Sequence, residues 1–228
     1  MPKPRKGPRP PLKVLGVYHY VKSRGPRVPL RNVARLKQAI QRLKDQHIHE
    51  VGIEFGEGSN KMSRWYRRAL GGPVHDPIGR YLVALNVLVR RTGLKPVAIE
   101  DPIARKMGHI LPGTRGTFGE RKRYEETEEW LHTQIGKIAK EKNENPKKII
   151  NELKMGIWYL RSRLMATNAK RLGLKAMIVG ESHAHDFGQG YEVIYVDNFT
   201  RKKSNQKFYD KHKKLLLELY KRVKKGRE

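Results

Sequence analysis

Directly after the apolar run Ala176-Met177-Ile178-Val179 comes Gly180-Glu181-Ser182-His183-Ala184-His185-Asp186, which sets two imidazoles and two carboxylates within six positions. Imidazole and carboxylate exchange protons with a reacting group and bind divalent metals, so the stretch has the composition of an acid–base or metal site. The form recurs near the start, where Val14-Leu15-Gly16-Val17-Tyr18-His19 again reads apolar-Gly-x-x-His. A third apolar run, Val51-Gly52-Ile53-Glu54-Phe55, ends on a carboxylate. If these runs are parallel neighbouring strands, His19, Glu54 and His183 converge above one edge of a sheet, where α/β proteins place their ligands. A buried strand end is a costly place for a carboxylate unless it is paired or metal-bound. The plainer alternative stays open: hydrogen-bonded histidines at strand ends, with Glu54 paired to one of the many arginines. His185 lies past its strand and ranks second as a ligand.

The elements that must carry these groups follow from periodicity. Leu12 to His19 reads as a strand, and Pro29 to Lys44 as a helix with Leu30, Val33, Leu36, Ile40 and Leu43 on one stripe. Strands are expected at 51–55, 96–99, 176–179 and 191–196. Helices are expected from Pro77 to Thr92, ended by Gly93 as a C-cap, from Tyr124 to Lys142, and from Pro146 to about Leu172. Pro102 to Arg123 reads as loop, with Gly113, Gly116 and Gly119 among basic residues. Strands alternating with helices predict an α/β fold: a mostly parallel sheet with helices on both faces, plus a basic N-terminal arm and a basic C-terminal helix. The expected division is an arm at 1–11, an α/β domain at 12–200 and an amphipathic helix at 201–228.

Charge supplies a second, independent line. Fifty Lys and Arg stand against 22 Asp and Glu, a formal net charge of +28. A thermophile-like charged surface enriches Glu together with Lys and comes out near balance; this surface does not. Residues 201–228 carry 12 basic and 3 acidic residues and residues 1–13 carry 5 and none, so the two ends hold half of the excess. Such a field recruits polyanions, nucleic acid first and anionic membrane after it.

The candidate nucleic-acid contacts fall in four groups. Lys3, Arg5, Lys6 and Arg9 lie in the proline-rich arm, and Arg64, Trp65, Arg67 and Arg68 interleave an aromatic with arginines. Arg115, Arg121, Lys122 and Arg123 lie among the glycines, and Arg201, Lys202 and Lys203 open the C-terminal segment. Trp65 reads equally well as an ordinary packing residue. No cysteine is present, which excludes disulfides, thiolate zinc sites and a cysteine nucleophile. No apolar run approaches the roughly 18–20 residues of a membrane span, and the basic N-terminus lacks the apolar core of a secretory signal. The expectation is a cytoplasmic protein, with its oligomeric state open.

Taken in order, these motifs resemble the TraB/PrgY/Tiki superfamily, related to the ChaN and erythromycin-esterase proteins, over roughly residues 12–186. Those families carry an early strand ending Gly-x-x-His, a strand ending in Glu, an Arg-Asp-x-x-Met-like helical segment, and a later strand with a second Gly-x-x-His. The counterparts are Gly16-Val17-Tyr18-His19, Glu54, Arg161-Ser162-Arg163-Leu164-Met165 and Gly180-Glu181-Ser182-His183. Ser162 stands where an Asp is usual. The resemblance implies a metal-assisted hydrolase in some members, with one divalent metal (Mn, Co or Zn) and otherwise no cofactor. It implies His19, Glu54 and His183 as metal ligands, Glu54 and Arg161 as catalytic groups, and Arg161 as the clamp on a developing oxyanion. Two functions therefore stand: a nucleic-acid-binding protein, RNA- or ribosome-associated with RNA ahead of DNA, on this scaffold; or a soluble metal-dependent hydrolase, a nuclease or peptidase.

Overall fold

Short runs rich in Val, Ile, Leu and Met form the strands, and apolar residues at helical spacing form the layers that cover them. The computed structural model describes residues 10–17, 33–54, 85–111, 118–196 and 203–226, of which 118–123 as backbone only. In chain order these are β1 (Leu12–Val17), α1 (Val33–Asp45), β2 (Glu50–Ile53), α2 (85–91), β3 (Lys95–Ala98), α3 (Pro102–Ile110), α4 (Phe118–Lys142), α5 (Pro146–Arg171), β4 (Ala176–Gly180), α6 (Glu181–Ala184), β5 (Tyr191–Tyr195) and α7 (Gln206–Lys225). The chain divides into two compact units, Met1–Ile99 with Ala166–Thr200 and Glu100–Met165 with Arg201–Glu228.

The first unit is α/β. Its five strands are all parallel in the order β3-β2-β4-β1-β5. The central strand β4 is buried along its whole length, whereas the edge strand β5 is half-exposed throughout. That is the behaviour of a parallel sheet covered on both faces. Leu15, Val17, Val51, Ile53 and Ile178 point to one face, where they pack with Leu36, Ile40 and Leu43 of α1 and Leu85, Leu88 and Val89 of α2. The other face carries Gly16, and α6 lies against it. A Cβ on Gly16 would stand 2.6 Å from the Ala184 Cβ, so this glycine is required for close approach of α6. Gly93, at φ +83, follows α2 in the left-handed conformation expected of a cap.

The second unit is helical. Its core joins Ile103, Met107 and Ile110 of α3, Leu131 and Ile135 of α4, Ile149, Leu153 and Ile157 of α5, and Leu216, Leu219 and Val223 of α7. Gly156 of α5 is another close approach, since a Cβ there would lie 2.7 Å from the Leu216 side chain. The loop expected from Pro102 to Arg123 is corrected: Pro102–Ile110 is helix, and residues 118–123 already belong to α4. Asp101 caps α3, its Oδ1 accepting from the backbone N–H of Ile103 at 2.9 Å and of Ala104 at 2.8 Å. Pro102 fills the first helical position, where its missing N–H costs nothing. Among the described residues no helix is long and apolar enough to cross a membrane.

Candidate functional site

The carboxyl edge of the sheet is assembled by register. Ile53 of β2 pairs with Ile178 of β4, and Val17 of β1 pairs with Gly180, so the three strands end close together. The connection from β2 carries α2 on one face, whereas β4 leads into α6 on the opposite face. Adjacent strands whose connections diverge in this way leave a crevice between them, the place where open α/β sheets bind ligands. Glu54 and His183 meet there.

Glu54 follows the last residue of β2 and is 5% exposed; His183 is 2% exposed. The Gly180 backbone N–H donates to Glu54 Oε2 at 2.9 Å, and His183 Nε2 lies 3.3 Å from Glu54 Oε1. A buried carboxylate with one oxygen on a backbone amide and the other on an imidazole has its desolvation offset on both sides. It also holds the imidazole in one orientation, as a carboxylate does for a general base. The third residue expected here, His19, lies outside the described residues.

The pair also meets a spacing test for a metal. Two ligand atoms each about 2.1 Å from a tetrahedral divalent ion stand about 3.4 Å apart, close to the observed 3.3 Å. Among the described residues, however, no cluster of three or more His, Cys, Asp or Glu side chains is placed to hold an ion. The second-ranked histidine has another setting. His185 Nε2 is 3.4 Å from Glu181 Oε1, its Nδ1 is 3.3 Å from Tyr195 Oη, and its ring lies 5.4 Å from the Tyr195 ring. A carboxylate can only accept, so Nε2–H donates to Glu181 and Nδ1 meets the Tyr195 hydroxyl.

Arg161 belongs to the second unit. Its Nε donates to Glu100 Oε1 at 2.9 Å, its Nη2 bonds the same oxygen, and Arg105 Nη1 approaches Glu100 Oε2 at 3.4 Å. Glu100 is thus a buried carboxylate held by two guanidinium groups. Ser162 is fully buried and donates through Oγ to the Trp158 carbonyl at 2.9 Å, a bond within its own helix.

Of the expected nucleic-acid contacts, Lys203 is exposed. Arg121, Lys122 and Arg123 lie in the first turns of α4, placed by backbone alone. Lys3, Arg5, Lys6, Arg9, Arg64, Trp65, Arg67, Arg68, Arg115, Arg201 and Lys202 lie outside the described residues. Compared with family models, curated proteins and solved structures, the chain finds no match.

Sequence patterns did not single out a second cluster, in the helical unit. His212, 4% exposed, contacts Glu152 Oε2 through Nε2 at 2.8 Å, and Lys211 Nζ reaches the same oxygen at 2.8 Å. Burial alone raises the Glu152 carboxyl, but hydrogen bonds from Lys211 and His212 outweigh it and leave the group below its ordinary value. The Glu152 contact raises Lys211 in turn. The available signal was His212 itself: it stands four residues before Leu216 on the apolar stripe of α7, so a polar side chain there must find a buried partner.

Proposed function

We propose that the chain binds nucleic acid, RNA ahead of DNA, free or within a ribosome, and that its α/β unit is a scaffold of the TraB/PrgY/Tiki type. The observation that carries this reading is the surplus of 28 positive charges. Phosphate contacts release counterions whatever else a site does, so a surplus of this size favours polyanion binding before any chemistry is invoked. A cytoplasmic location goes with it. The test is RNA retention by the full chain across a salt series. Affinity falling by about a factor of 10³ or more between 50 and 200 mM salt supports the reading; retention indifferent to salt, or none at low salt, removes it.

A second reading, a divalent-metal-dependent hydrolase, is favoured by one observation: Glu54 and His183 meet at the divergent strand ends with ligand-like spacing. His19, Glu54 and His183 would hold the ion, and the ion would supply an acidified water. Metal analysis of the purified protein decides between outcomes: stoichiometric metal lost in a His19→Ala, His183→Ala variant supports it, and a metal-free protein opposes it.

A further inference from the structure

We infer that one face of α7 is the seat of an RNA phosphate backbone, with Lys213, Lys214, Lys221, Lys224 and Lys225 as its contacts. The inference rests on the nucleic-acid reading and assigns it a surface. All five lysines are exposed, and among the described residues none of them forms an ion pair. At helical spacing they fall within about a third of the helix circumference, opposite the stripe formed by Leu216, Leu219 and Val223. From Lys213 to Lys225 the row runs about 18 Å at the usual rise per residue.

Two cations beside the row are already committed. Lys211 is held by Glu144 and Glu152, and Arg222 by Glu218 at 3.3 Å with its guanidinium 4.4 Å from the Trp130 ring centre. Glu218 is thereby turned toward Arg222, which lessens the one acidic interruption within the row. What remains is a line of point charges rather than a pocket. A line suits an extended polyphosphate, whereas a single phosphate ion would need converging donors.

The same geometry argues against a lipid surface. An amphipathic helix binds a membrane by inserting its apolar face. Here Leu216, Leu219 and Val223 are fully buried in the core of their own unit, so α7 exposes its lysines with a single large apolar side chain, Leu217, among them, too little to insert.

The experiment uses the full chain and a single-stranded RNA of mixed sequence. Replacing all five lysines with Gln removes up to five phosphate contacts, so the slope of log affinity against log salt should fall by about 3 and binding at 0.1 M salt should weaken at least about 100-fold. A control set on α1, Arg35, Lys37, Arg42 and Lys44 to Gln, removes nearly as much exposed charge from the other unit and should change the slope by less than about 1. Equal losses in both sets overturn the ridge and leave the nucleic-acid reading standing; an unchanged five-lysine variant does the same. Absence of RNA binding by the parent chain overturns both. Displacement of the RNA by phosphatidylserine vesicles at matched charge overturns the ridge in favour of a lipid partner. Acetylation footprinting of the parent chain guards against a misfolded variant. Bound RNA should protect the five lysines and spare those of α1, and uniform labelling overturns the assignment.

Discussion

Each unit contains a buried Glu–His contact between elements far apart in sequence, and these two contacts sit in different physical settings. Glu54 and His183 are joined at 3.3 Å where the connections of two adjacent strands diverge, with the other carboxylate oxygen on a backbone amide. Glu152 and His212 are joined at 2.8 Å between two helices, with Lys211 on the same oxygen. His212 also interrupts α7, having φ −116 and ψ 17 inside the helix. The first contact ties two strands at the edge where α/β sheets bind ligands; the second fastens a kinked helix to its neighbour. Residue type is the same, so backbone placement decides which could serve chemistry and which serves packing.

The largest expected difference follows from what each carboxylate leaves behind. Glu54→Ala takes the carboxylate away from His183 and from the Gly180 N–H in a buried place. It should cost about 3 kcal/mol, the low end for breaking a buried pair. Exchange of the Gly180 amide should quicken by a comparable factor, and an unchanged exchange rate would remove the clasp from the account. Next in size, Gly16→Val drives a side chain into Ala184 across a 2.6 Å gap. It should cost about 2 kcal/mol in urea unfolding followed by circular dichroism. A neutral result would mean that α6 yields freely and the edge is softer than its packing suggests.

The contrast also explains what could be read beforehand. Strand ends are local: an apolar run that stops at a polar residue identifies Glu54 and His183 without knowledge of strand order. The adjacency of β2 and β4, which brings Glu54 to the Gly180 amide across 126 residues and so to His183, is set by tertiary packing and has no local mark. Gly16 was visible as a motif glycine, but its reason, the approach of Ala184, lies in another element. Helix α3 was missed because the glycines and cations after it were read as one loop with it. Asp101-Pro102 followed by Ile103, Met107 and Ile110 was nevertheless a cap and an apolar stripe. Arg161 was singled out for chemistry, yet its partner Glu100 lies 61 residues earlier, beyond any local pattern.

The helical contact should respond to acid in a way set by Lys211 and His212. Because they hold the folded Glu152 carboxyl below 4.5, its stabilisation is complete above that pH and is lost as pH falls through the lower folded value. Glu152→Gln should be about 1.5 kcal/mol less stable at neutral pH, since Lys211 is partly solvated and the loss is screened. Between pH 5 and the acid range its unfolding midpoint should fall less than that of the parent chain, read from far-ultraviolet circular dichroism. Parallel curves would show that the carboxylate is not coupled to this core.

The smallest effect is expected at the alkaline end, from the carboxylate that caps α3. Asp101 gives Oδ1 to two backbone amides and accepts the Tyr220 hydroxyl on Oδ2 at 3.0 Å, so a single side chain joins the start of α3 to α7. Burial first and this hydrogen bond second push the Tyr220 hydroxyl up from 10.0 to about 12. A raised folded value means that the neutral phenol is favoured on folding; its contribution is whole below pH 10 and drains away as pH rises toward 12. Tyr220→Phe keeps the ring and removes the donor, so it should cost about 1 kcal/mol at pH 8. The gap from the parent chain should then close between pH 10 and 12, because only the parent has a proton to lose there. Lysines titrating in the same range affect both proteins alike and cancel in the difference. A gap that persists at pH 12 would place Tyr220 in the packing of α7 alone and leave Asp101 as a helix cap and nothing more.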